Sequence, residues 1–168
     1  MIRKWTNNSV VVHQSSKFDG QARNCFCAEN PGNTHSPLNI DLGGAPEKRQ
    51  PFGNRSKESL SGLVFGKEVD VEWNNRDRYQ RIVGKVLVAD PNCQSSHCPK
   101  TFDAGLAQIS SGLAWWYRKY ANAQSSADAR RYESAEQDAR TRQAGLWVEN
   151  QPIPPWEWRK AKRQANKP

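Results

Sequence analysis

The apolar residues of this chain fall into regular periods only from about residue 54 onward, and that edge constrains its fold more than any other feature. Ser56-Lys57-Glu58-Ser59 predicts the start of a helix with Leu60, Leu63 and Val64 on one face, ending near Gly66. Val69, Val71 and Trp73 then alternate with Glu68, Asp70 and Glu72, the pattern of a half-buried strand. Asn74-Asn75-Arg76-Asp77 reads as a turn, and Ile82 to Val88 as a second strand paired with the first. Gly84 inside that strand implies a bulge or tight curvature, as a small barrel requires. Phe102 to Ile109 reads as a short helix, and Leu113 to Tyr120 as a dense aromatic segment. Ser125-Ser126-Ala127-Asp128 has the form of a helix start, with the helix running through Arg140 and Gly145 as its stop. Tyr132, Ala135 and Ala139 share its inward face. Pro152 to Pro155 is a stiff lead into Trp156 and Trp158, which are expected to pack on the body. Residues from Arg159 to Pro168 read as a basic, disordered tail. Residues 1–42 are rich in Asn, Ser and Gln, with a short Val10-Val11-Val12 run, and no strand is assigned there.

Charge narrows the partner. Lys and Arg number 25 against 17 Asp and Glu, a net charge of +8. That excess suits a polyanion, nucleic acid first and an anionic membrane surface second, or simply a soluble basic surface. Seven Trp and four Tyr supply faces that can stack on bases or fill a core. No apolar run is long enough to cross a bilayer, and the charged start Met1-Ile2-Arg3-Lys4 has no apolar stretch after it, so no secretory signal is read. Cys93 and Cys98 bracket Gln94-Ser95-Ser96-His97, which suits a disulfide-closed loop in an oxidising compartment. A zinc site with His97 is the rival, and it would have to draw on Cys25 and Cys27.

Five blocks carry a family resemblance: Ala45-Pro46-Glu47-Lys48-Arg49-Gln50-Pro51-Phe52-Gly53, Asp77-Arg78-Tyr79-Gln80-Arg81, Gly112-Leu113-Ala114-Trp115-Trp116-Tyr117, Ala144-Gly145-Leu146-Trp147 and Pro154-Pro155-Trp156-Glu157-Trp158-Arg159. In this order and spacing they resemble the staphylococcal-nuclease (thermonuclease) family over residues 43–160. The resemblance implies an α+β fold: an OB-fold-like small β-barrel with three packed helices. It implies a calcium-dependent phosphodiesterase acting on DNA and RNA, monomeric and exported to the periplasm or beyond. Glu47 falls on the family's water-activating Glu, and Arg81 on its second phosphate-binding Arg. Each also has a plainer reading, Glu47 as a surface carboxylate paired with Lys48 or Arg49, and Arg81 as a charge flanking a strand. Tyr79, Tyr117, Arg78 and Lys48 fall near where the family holds nucleic acid, while Trp116 suits a core equally well.

The same resemblance shows what is missing. The family places one metal-binding Asp where Gly44 stands, another in an Asp-Gly-Asp-Thr turn, and its first Arg where Asn39 stands. Asp19-Gly20 begins such a turn, but Gln21-Ala22 follow; Asp41 would serve only after a shift in register. Asp19 and Asp41 are thus the candidate calcium ligands. The organisation expected is a divergent or frame-shifted segment at 1–42, a thermonuclease-like domain at 43–160 and a basic tail at 161–168. A reading-frame slip would give so abrupt an edge. Codons for Arg23-Asn24-Cys25-Phe26 such as CGT-AAC-TGT-TTT, read one base over, give Val-Thr-Val. The alternative to a hydrolase is an OB-like module that binds nucleic acid and cleaves it weakly or not at all.

Overall fold

The computed structural model describes residues 3–4, 10–13, 25–29, 38–41, 44–76, 82–95 and 97–165. Among the described residues, seven strands form one antiparallel sheet: β1 (Arg3–Lys4), β2 (Val10–His13), β3 (Cys25–Glu29), β4 (Leu38–Asp41), β5 (Glu68–Arg76), β6 (Ile82–Ala89) and β7 (Lys100–Asp103). The order is β4-β3-β2-β5-β6-β7, and β1 pairs beside β5 with Arg3 opposite Trp73. β4 also comes within 8 Å of β6 between Cα atoms, so the sheet curls toward closure, although no ladder joins the two among the described residues. Four α-helices accompany it among the described residues: α1 (Gly53–Val64), α2 (Ala104–Ser110), α3 (Ser126–Thr141) and α4 (Pro155–Ala165). The fold is α+β.

β5 and β6 form the expected hairpin ladder, and its register slips between Trp73 and Asn75, opposite Gly84. A Cβ on Gly84 would stand 2.6 Å from the Glu72 carbonyl oxygen, so the strands close there only around a glycine. α1 covers this part of the sheet. Its Leu60 and Val64 bury against Val69, Val86, Val88 and Ala104, with Leu63, Val71 and Phe102 at the margin. Each of the fully buried Leu and Val side chains is worth roughly 1.5–3 kcal/mol of burial. α3 begins as its sequence indicates: Ser125 Oγ accepts from the Asp128 N–H at 3.0 Å. Its inward face packs Tyr132 against Ile109, Ala114 and Trp116. A third cluster gathers Trp115, Ala139, Leu146 and Trp147, with Phe52 and Trp156 against it.

The chain crosses itself where Gly112 and Gly145 meet. Both have positive φ, 64° and 55°, and the Leu146 N–H donates to the Gly112 carbonyl at 2.8 Å. A Cβ on Gly112 would lie 2.0 Å from the Ala144 oxygen, and one on Gly145 2.3 Å from the Gly112 oxygen. Two carboxylates are buried and satisfied. Tyr132 Oη donates to Asp103, whose Oδ1 also accepts from the Leu106 N–H and caps α2. Glu136 accepts from the Trp116 N–H and pairs with Arg118 at 3.0 Å. On the sheet, Lys85 bridges Glu72 and Asp128 at 2.9 and 3.3 Å. Burial alone would push the Lys85 ammonium down, but those two carboxylates outweigh it and hold it above its ordinary value.

Several sequence expectations are revised. The segment read as turn at Asn74-Asn75-Arg76 continues β5 to Arg76, and the remainder of the connection, 77–81, lies outside the described residues. Phe102 belongs to β7, and α2 begins two residues later at Ala104, because Asp103 caps it. α1 begins at Gly53 rather than Ser56, whose side chain is buried. Strands stand at 10–13, 25–29 and 38–41, where none was assigned. The tail read as disordered is helical to Ala165, adding a fourth helix to the three expected. Cys93 and Cys98 are joined by a disulfide.

Gly145→Ala and Gly112→Ala should each cost about 1–3 kcal/mol, seen as a lower urea midpoint at unchanged slope. A second prediction concerns pH. Burial pushes the Asp103 carboxyl above its ordinary value of 3.8, despite the bonds from Leu106 and Tyr132 that oppose it. Folded Asp103 therefore holds its proton more tightly than the unfolded chain does. Its contribution grows as pH falls toward the ordinary carboxylate value and is lost as pH rises through the folded one. Melting temperatures of wild type and Asp103→Asn should accordingly shift in the wild type's favour on acidification; a difference independent of pH would contradict the assignment.

Candidate functional site

Glu47 sits in a tight turn between β4 and α1. The Gln50 N–H donates to the Glu47 carbonyl at 2.8 Å, and the Gly53 N–H to the Gln50 carbonyl at 3.0 Å. Gln50 is buried, and its side chain works in two directions. Its Oε1 accepts from the Glu47 N–H at 2.7 Å, while its Nε2 donates to the Ile153 carbonyl at 2.9 Å. The turn needs small residues at its ends. A Cβ at Gly53 would lie 2.1 Å from the Glu47 oxygen, and Phe52 just before it holds a left-handed φ of 62°. At the other end the Gly44 carbonyl accepts from the Trp115 N–H at 2.8 Å, and a Cβ on Gly44 would stand 1.8 Å from the Trp115 oxygen.

The Glu47 side chain meets Arg159 of α4. Arg159 Nη1 lies 2.6 Å from Glu47 Oε1, with the carboxylate side chain 15% exposed and the guanidinium side chain 35%. This is a short, charge-assisted bond in a partly dry setting. The plainer reading of Glu47 named Lys48 or Arg49 as partner; both are exposed beside the turn, and Arg159 makes the ion pair instead. α4 is brought there by its own sequence. Pro155 starts the helix, where its missing N–H costs nothing, and its ring is buried. Trp156 stacks on Tyr117 with centroids 4.8 Å apart and planes at 27°. Trp156 and Arg159 are three residues apart, one helical turn, so both address the same side.

The other site residues divide clearly. Tyr117 is half-buried beside the turn, with one face on Trp156. Trp116 is core, 8% exposed, with Arg118 4.8 Å over its ring. Arg81, Tyr79 and Arg78, within 77–81, lie outside the described residues, as does Asp19. Asp41 ends β4 with its Cα opposite Cys25, and Asn39 pairs with Cys27; only their backbone is described. No group of three or more His, Cys, Asp or Glu able to hold a metal ion occurs among the described residues. Gln50 and Arg159 escaped the sequence reading. The signal for Arg159 was the proline-led helix start ahead of Trp156, read instead as an extended lead into a tail.

Comparisons with known proteins place the chain in a family. The model of the family described as "Staphylococcal nuclease homologue" matches residues 33–149. Protein ParB of Escherichia coli is 38% identical over 117 residues, 69% of this chain and 62% of that protein. A protein named an uncharacterized endonuclease in Haemophilus influenzae is 32% identical over 145 residues, 86% of this chain and 70% of its own. A micrococcal nuclease of Shigella flexneri is 34% identical over 129 residues, 72% of this chain and 66% of its own. This chain thus spans about two thirds of the length of these relatives. Among solved structures, the extended Tudor domain of Drosophila melanogaster Tudor-SN (p100) gives a TM-score of 0.48 at 12% identity, over 83% of this chain and 74% of that one; it is too loose a likeness to add to the assignment. The matched family model covers most of the chain, including the Glu47 turn, β5–β6 and α3, and on that ground the chain belongs to the staphylococcal nuclease homologue family.

Proposed function

We propose that this chain is a phosphodiesterase hydrolysing DNA and RNA, calcium-dependent as its family resemblance implies, and weakened by the residues at Gly44 and Asn39. The observation that carries the reading is Glu47. It is a carboxylate set by a rigid turn, held at Oε1 by Arg159, with Oε2 making no bond to any described residue. In hydrolysis, Glu47 takes a proton from water as the water oxygen bonds to phosphorus. The bond from phosphorus to the leaving sugar oxygen breaks on the opposite side, and that oxygen collects a proton from solvent. Arg81 is assigned the phosphate's non-bridging oxygens, which its planar fork of donors suits. Lys48, exposed next to Glu47, together with Arg78, Tyr79 and Tyr117, is assigned the nucleic acid on either side.

Calcium takes about six to eight oxygen ligands, mostly carboxylates and carbonyls. The described residues do not supply such a set, and Gly44 has no room for the side chain the family carries there. That observation favours the second reading, a domain that binds nucleic acid and cleaves it poorly. The bond between Cys93 and Cys98 suits an oxidising compartment, and we assign the protein to the exported fraction. No helix among the described residues is long and apolar enough to cross a membrane. We treat the chain as a monomer with an N-terminal segment at 1–42, divergent or frame-shifted, and sequencing of the gene decides between those two.

Plasmid DNA incubated with the protein should be cut in calcium and left intact in EDTA, and Glu47→Gln should slow cutting by about 10²-fold or more. DNA retarded on a gel yet uncut would establish the binding module instead. Gly44→Asp, although it restores the family's residue, should lower the melting temperature about as much as Gly44→Ala, because the clash arises at Cβ. A Gly44→Asp protein as stable as wild type and faster in calcium would refute this.

A further inference from the structure

We propose that Arg159 of α4 is a positioning residue for Glu47, and that α4 is therefore a working part of the site. The inference rests on the reading of Glu47 as base. Arg159 fixes one carboxylate oxygen at 2.6 Å, so the other is the one presented to water. A guanidinium does this better than an ammonium, because its planar donors fix the direction of the bond as well as its length. The helix carrying it is fastened independently of the ion pair. Pro155 is buried, Trp156 stacks on Tyr117, and the Ile153 carbonyl is gripped by Gln50. Gln50 is the same side chain that receives the Glu47 N–H, so one amide sets the backbone of the base and the approach of the helix together.

This arrangement separates three roles for Arg159. A phosphate clamp would act on substrate affinity. An inhibitory strap would hold the base out of use, and its removal would raise activity. A positioning residue acts on the chemical step through Glu47 alone. The fastening by Pro155, Trp156 and Gln50 argues against a strap that swings away, and the bond to Glu47 already engages the guanidinium. Positioning is the role left.

Steady-state cleavage of DNA in calcium by the full chain tests this. Arg159→Gln should lower kcat about 10- to 100-fold and change KM by less than about two-fold. Arg159→Lys should recover part of the loss. In the Glu47→Gln background, Arg159→Gln should cause no further drop, since the residue acts only through Glu47. Melting curves of each variant separate loss of fold from loss of positioning. A raised KM at unchanged kcat overturns the proposal in favour of a substrate contact. An unchanged or raised kcat overturns it in favour of a surface pair or a strap. A loss of equal size in the Glu47→Gln background makes the effect general and also overturns it. A wild-type protein that does not cut, or one that cuts equally well as Glu47→Gln, instead removes the function reading and this inference with it.

Discussion

The hydrogen bond from the Trp115 N–H to the Gly44 carbonyl is the constraint on which the site depends. It fastens the start of the Glu47 turn to a layer of aromatic residues, where Trp115 meets Trp147 edge-on with centroids 5.6 Å apart. Backbone meets backbone so closely there that only glycine fits at position 44. From that fixed point the turn follows: Pro46 is buried, Gln50 closes the loop, and Glu47 is left facing α4. Gly44, where the family resemblance implies a metal-binding Asp, is thus the residue that allows this packing.

Charge in this protein is organised by the interior as much as by the surface. Glu136 is almost wholly buried, yet its oxygens receive the Trp116 N–H and Arg118, and Arg140 reaches it at 3.6 Å. The same two arginines lie over indole rings, Arg118 over Trp116 and Arg140 over Trp147 at 4.1 Å. An arginine shared between a carboxylate and an aromatic face satisfies a buried charge without a second buried partner. Part of the +8 excess is therefore committed to holding α3 against the aromatic layer, and the remainder is what a polyanion would meet.

The legible and illegible parts of the sequence follow from how far each interaction reaches along the chain. α3 could be placed because its signals are local: Ser125 and Asp128 cap it, and Tyr132, Ala135 and Ala139 repeat at its period. The β5–β6 pair was legible from alternation, and Gly84 marked its irregularity. The ends were less so. Phe102 satisfies an apolar position in either a helix or a strand, and it took the Asp103 cap to divide them. β3 shows no alternation, and β4 alternates Leu38 and Ile40 with Asn39 and Asp41 over only four residues, too short a run to announce a strand; β3's pairing with β2 and with β4 defines them. Glu47 was visible through its motif, whereas its partner stands 112 residues away and carried no local mark beyond a proline-led helix start.

That separation has a consequence for the order of events during synthesis. Glu47 leaves the ribosome long before Arg159, and at ordinary elongation rates the interval is on the order of ten seconds. Throughout it the nascent chain carries the turn without α4, and Gln50 without the Ile153 carbonyl it donates to. The pair between Glu47 and Arg159 therefore forms only once α4 has been made, well after the turn itself.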